Sequence, residues 1–127
     1  MPIASVVRWH YKKKEMKLLA FENRILRIDN NEFELEFTIE DARIIDNLAI
    51  VIFKFDKLVP TYRQFRNCRA YNEDGVEIWI AEHPTNVTAD FFMGFMDAKS
   101  NKLWNFGCFI CEMNYRTGKI INAEFTK

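Results

Sequence analysis

Residues Glu32 to Phe37 read Glu-Phe-Glu-Leu-Glu-Phe. Successive side chains of a strand point to opposite faces, so this run places Phe33, Leu35 and Phe37 on a buried face and three glutamates in water. A helix would scatter the same residues around its circumference. The two-residue period persists along much of the chain from Met16 onward. It predicts a mostly β, antiparallel, single-domain meander that curls into a strongly bent sheet or half-barrel to hide its edges. A chain of 127 residues that is 49% hydrophobic buries enough surface to fold without disulfides or a structural metal.

Met16–Phe21 and Arg24–Ile28 read as a hairpin around Glu22-Asn23. Leu48 to Phe55 is apolar, β-branched and aromatic, the pattern of a central strand buried on both faces. Asn30-Asn31 and Asp46-Asn47 supply turns. Thr38-Ile39-Glu40-Asp41 fits a helix capping box, but only about two helical turns fit before the next strand, and both readings stay open. Farther on, Arg66–Tyr71 and Val76–Ala81 flank a turn in which Gly75 suits a positive φ. Phe91–Met96 pairs with Leu103–Phe106, and Cys108–Met113 with Ile120–Phe125. Residues 1–15 lack this period and read as an extension or arm ahead of a domain spanning 16–127.

The chemistry-bearing residues are sparse. Cys68, Cys108 and Cys111 cannot all pair within one chain, and no secretory signal pattern opens the sequence, so the expected compartment is the reducing cytoplasm. The longest apolar run, Leu48–Phe53, is far short of the roughly 20 residues that cross a bilayer, so no membrane partner is expected. Cys108-Phe-Ile-Cys111 has metal-clip spacing, with Cys68 and His83 as possible further ligands. Strand residues three apart diverge, however, so no metal and no cofactor is expected. His83 precedes Pro84 in a loop and reads as a surface residue. A carboxylate pair such as Asp90 with Asp97 could in principle run acid/base chemistry, but any acidic sequence offers such pairs, and Gly118-Lys119 lacks the rest of a phosphate loop. No catalytic set emerges, so the chain is expected not to be an enzyme.

Charge is segregated although the chain is neutral overall. The net charge by block is +5 for 1–27, −6 for 28–47, +4 for 48–72, −6 for 73–97 and +3 for 98–127. The fourth block holds no base and interleaves Glu73, Asp74, Glu77 and Glu82 with Trp79 and Phe92. Acids around aromatic anchors suit a basic protein partner. Conversely, Arg63, Arg66, Arg69 and Tyr71 form a basic-aromatic run of the kind that binds single-stranded nucleic acid, although overall neutrality makes nucleic acid the lesser expectation.

Asn67 through Trp79 (Asn-Cys-Arg-Ala-Tyr-Asn-Glu-Asp-Gly-Val-Glu-Ile-Trp) and Ile110 through Ile120, with Thr117-Gly118-Lys119, resemble the two halves of a pattern in small bacterial β proteins. The spacing also resembles single β-propeller blades, though a chain of this size is too short for a whole propeller. Such domains are similar to the immunity proteins of contact-dependent growth inhibition. The resemblance implies a protein that neutralises a cognate toxin domain, basic and nuclease-like, by covering its active site. The alternative is a small nucleic-acid- or ligand-binding module.

Overall fold

The computed structural model describes residues 15–57, 59 and 61–126. The arm expected over residues 1–15 therefore lies, apart from Glu15, outside the described residues. All regular secondary structure among the described residues is β: β1 (Leu19–Glu22), β2 (Ile25–Ile28), β3 (Asn31–Glu34), β4 (Ile39–Ile45), β5 (Leu48–Phe53), β6 (Cys68–Tyr71), β7 (Glu77–Ile80), β8 (Phe92–Phe95), β9 (Leu103–Asn105), β10 (Phe109–Asn114) and β11 (Lys119–Phe125). No helix among them is long and apolar enough to cross a membrane.

The antiparallel meander is present, and its bending is divided among three sheets. β1–β3, β4–β7 and β8–β11 form a first, middle and last sheet, each pairing strands in sequence order, and none closes into a barrel. The first strands lie together: β1 neighbours β4, and β4 neighbours β8. This gives a stacked, blade-like array with the middle sheet covered on both sides.

β5 shows why. All six of its side chains are buried, and the two-residue period divides them between two cores. Leu48, Ile50 and Ile52 pack with Cys68, Ala70, Phe92, Leu103 and Cys111 of the middle and last sheets. Ala49, Val51 and Phe53 pack with Leu26, Ile28, Leu35 and Phe37 on the side of the first sheet. Each large apolar side chain fully buried here contributes roughly 1.5–3 kcal/mol. Phe55 lies past the strand end and is exposed.

The turns follow residue chemistry. Asp46 and Asn47 both take positive φ, 52° and 59°, which gives the two-residue hairpin a twist matching its strands. The earlier turns sit one residue from their expected positions. Glu22 pairs Ile25 and Ile28 pairs Asn31, so Asn23-Arg24 and Asp29-Asn30 make the reversals. Thr38–Asp41 is no helix start: β4 begins at Ile39, and a bulge between Ile39 and Asp41 interrupts its alternation.

Two glycine turns close the sheet interfaces. Gly75 (φ 74°) lies against the Phe33 ring of the first sheet, and an added Cβ would sit 2.3 Å from it. Gly118 (φ 76°) lies over Trp79 of the middle sheet, where a Cβ would sit 2.6 Å from the indole. The two halves of the sequence pattern therefore meet in space, and Trp79 Nε1 also donates to Tyr115 O at 3.0 Å.

Between the middle and last sheets, polar groups bridge where strand ladders do not reach. Buried Asn67 donates from Nδ2 to Phe53 O (2.9 Å) and Phe92 O (2.7 Å) and accepts from Phe92 N (2.8 Å). Its carboxamide substitutes for a strand, satisfying backbone groups that burial would otherwise leave unpaired.

Candidate binding surfaces

The acidic-aromatic set is dispersed. Trp79 and Phe92 are buried core side chains rather than exposed anchors, because their strands turn these positions toward the sheet interface. Glu77 pairs with Arg69 at 3.3 Å, and Glu82 Oε1 accepts the Ile120 N–H at 2.8 Å, strapping the middle sheet to β11. Asp74 is exposed in the Gly75 turn, while Glu73 lines a groove of about 590 Å³ with Asp46, Asn72, Ile78 and Arg116.

The basic run is partly assembled. Arg63, Arg66 and Arg69 line one open groove of about 470 Å³ with Gln64 and Asn86, against Phe37 and Phe65. Gln64 Nε2 fixes one wall by donating to Thr85 O (2.8 Å) and Val87 O (3.1 Å). Arg69 is compensated by Glu36 (3.4 Å) and Glu77 (3.3 Å), and its side chain is mostly buried. Arg63 and Arg66 are exposed and, among the described residues, have no carboxylate within ion-pair distance. Tyr71 is not on this surface: it is buried in the core beside the first sheet, and burial pushes its phenol up to about 12.

His83 is the clearest departure from expectation. Its side chain is 0% exposed, and Nδ1 lies 3.2 Å from Asp90 Oδ1. The same carboxylate accepts from Asn105 Nδ2 at 2.8 Å, and its other oxygen accepts from Thr85 N at 3.1 Å and from the Thr85 hydroxyl. Burial lowers the His83 pKa although Asp90 opposes the shift. The imidazole holds a seam and is sealed from solvent. Asp97, by contrast, caps an exposed turn, where N–H donors from Ser100 and Lys99 lower its pKa.

The cysteines also separate. Cys108 is exposed at φ 70°, while Cys68 and Cys111 are buried. Burial raises the Cys111 thiol to about 12 and Cys68 further in the same direction, which suppresses the thiolate that metal binding and nucleophilic chemistry require. Among the described residues no group of three His, Cys, Asp or Glu side chains is placed to hold a metal ion.

The surface that sequence reasoning missed is aromatic. Phe55, Phe91 and Phe106 stack in a ladder: the first two rings are 4.5 Å apart with 22° between planes, the second two 5.3 Å apart with 12°. Phe55 is 47% and Phe106 58% exposed, with Phe91 half-buried between them. Phe106 N donates to Phe91 O at 3.0 Å, fixing the two segments. With Glu40, Lys54 and Met93 the rings line a cleft of about 270 Å³. One signal was available: in the doublet Phe91-Phe92, a core-facing Phe92 directs its extended neighbour outward.

The family described as a domain of unknown function (DUF7957) matches residues 16–125. No curated protein and no solved structure matches the chain.

Proposed function

The chain belongs to the DUF7957 family, and we propose that it is a non-enzymatic binding protein of the immunity type. It neutralises a cognate toxin domain by docking on it through the Phe55–Phe91–Phe106 ladder. The observation that carries this reading is three large rings stacked in advance of binding, with the outer two about half in water. Pre-stacked rings lose little side-chain freedom on association, and desolvated aromatic anchors dominate most protein interfaces. Lys54 and Glu40 at the cleft supply polar neighbours of both signs. A reducing, cytoplasmic location fits its three unpaired cysteines.

The test is co-expression with a nuclease-like toxin domain taken from a neighbouring reading frame, with growth as the readout. The native chain is expected to protect. The double variant Phe55→Ala/Phe106→Ala is expected to bind about 100-fold more weakly, about 2.7 kcal/mol, and to lose protection. Full protection by a folded double variant would overturn this interface.

A second reading rests on Arg63 and Arg66, which line the groove without a carboxylate partner among the described residues, and on the exposed Tyr62 ring beside Arg63. That combination suits a single-stranded nucleic acid, with phosphates on the arginines. Filter binding of mixed RNA at low and moderate salt separates the two readings: no retention at micromolar protein eliminates the second.

A further inference from the structure

The exposed edges of the three sheets are unequally protected. β3 closes the first sheet with four residues, Asn31, Glu32, Phe33 and Glu34, and two charges in so short a strand discourage pairing. β7 is also four residues long, and a bulge disturbs its pairing with β6. β11 spans seven residues, all exposed except half-buried Ile120, with Ile121 at 63% and Phe125 at 58%. Among the described residues no strand pairs with its outer side.

Register determines which backbone groups face outward. Thr126 N donates to Cys108 O at 2.8 Å, so the hydrogen-bonded pairs of the β10–β11 ladder continue at Glu124↔Ile110 and Asn122↔Glu112. Ala123 and Phe125 therefore direct their N–H and C=O groups to the open side. The outward N–H of Ile120 is already taken by Glu82 Oε1 at 2.8 Å. The edge is capped at its beginning and open at its end.

We propose that β11 pairs with β11 of a second copy, antiparallel about a two-fold axis at Ala123, joining two last sheets into one continuous sheet. The sequence is self-complementary in this register. Ala123 meets its own copy, Glu124 faces the second copy's Asn122, and the Phe125 end of one strand lies beside the Ile121 end of the other. No like charges oppose within 121–125. A strand of the same chain supplies matching length and the same outward pattern, which suits an isologous contact. One strand pair buries less than the roughly 800 Å² per partner of a stable interface, so micromolar association is expected. The proposal is independent of the toxin reading, since it rests on the outward backbone groups of β11 and not on the ladder rings.

Sedimentation equilibrium across micromolar to millimolar protein tests it. The mass is expected to rise toward twice 15.2 kDa. Ala123→Pro deletes an outward N–H and no bond to β10, so it should abolish dimerisation while leaving the melting temperature and β-sheet circular dichroism nearly unchanged. Ala123→Lys and Ala123→Glu should each be monomeric, and an equimolar mixture should recover the doubled mass, because the two-fold places position 123 against itself. A native chain that stays monomeric throughout, a dimer that persists in the folded proline variant, or a Lys/Glu mixture that fails to associate would overturn the assignment.

Discussion

Against the first sheet, β5 presents Ala49, Val51 and Phe53 to Leu26, Ile28 and Phe37, a contact made of apolar side chains. Against the last sheet the same strand's Leu48, Ile50 and Ile52 meet a core crossed by buried Asn67 and flanked by His83, Asp90 and Asn105. Hydrophobic burial is nondirectional, so the first interface depends on volume and tolerates reshaping. Hydrogen bonds in a low dielectric are directional and costly to leave half-made, so the second interface is fixed in register. One strand thus takes part in two kinds of packing, and the polar one lies where the chain switches sheets.

The sharpest way to break this contrast is Asp90→Ala. It strips Asn105, His83 and Thr85 of a shared acceptor and should cost about 3–5 kcal/mol, measured by urea denaturation. On the other interface, Leu26→Ala should cost about 3 kcal/mol through the cavity it leaves, but Leu26→Met under about 1.5 kcal/mol. If Leu26→Met proved as damaging as Asp90→Ala, the two interfaces would not differ in kind. The two glycine turns give a finer comparison. Gly118→Ala drives a Cβ into Trp79, buried and held by Tyr115, and should cost about 2–3 kcal/mol in the same assay. Gly75→Ala meets the half-buried Phe33 ring, which has room to move, and should cost about 1–2 kcal/mol.

The smallest effect is a pH dependence confined to the polar interface. The folded-state pKa of His83 lies below its ordinary value because of burial. Unfolding therefore takes up a proton when the pH is below the unfolded value of about 6.5. Stability from the neutral, sealed imidazole is fully present above that pH and declines as the pH falls through the unfolded pKa toward the folded one. Chemical denaturation from pH 7.5 to 5 should show this slope in the native chain and a shallower one in His83→Gln. An unchanged slope would mean that other groups carry the acid sensitivity.

Strand periodicity makes much of this architecture legible in the sequence. Glu32–Phe37 buries Leu35 and Phe37 and half-buries Phe33 as its alternation requires, although β3 ends at Glu34 and the chain bends at Glu36-Phe37; Leu48–Phe53 is covered on both faces. What it concealed has physical causes. The bulge in β4 shifts the alternation and leaves Thr38–Asp41 unreadable. Whether Trp79 and Phe92 face water or a neighbouring sheet depends on stacking, which no local window encodes. The Phe55–Phe91–Phe106 ladder joins three separate chain segments, and the Asp90 carboxylate that holds His83 within its own loop is fixed in turn by Asn105 of β9. For His83 the loop position was a misleading guide, since this loop folds inward over Phe92.

Each sheet is one uninterrupted stretch of chain, so on the ribosome whole layers are delivered in turn. The middle layer emerges onto a completed first layer, but Leu48, Ile50 and Ile52 stay uncovered, and the Asn67 carboxamide lacks Phe92, until the final third of the chain has been synthesised. That interval is when a nascent molecule is most open to mispairing with its neighbours, so slowed translation between Tyr71 and Phe92 should prolong its most aggregation-prone stage.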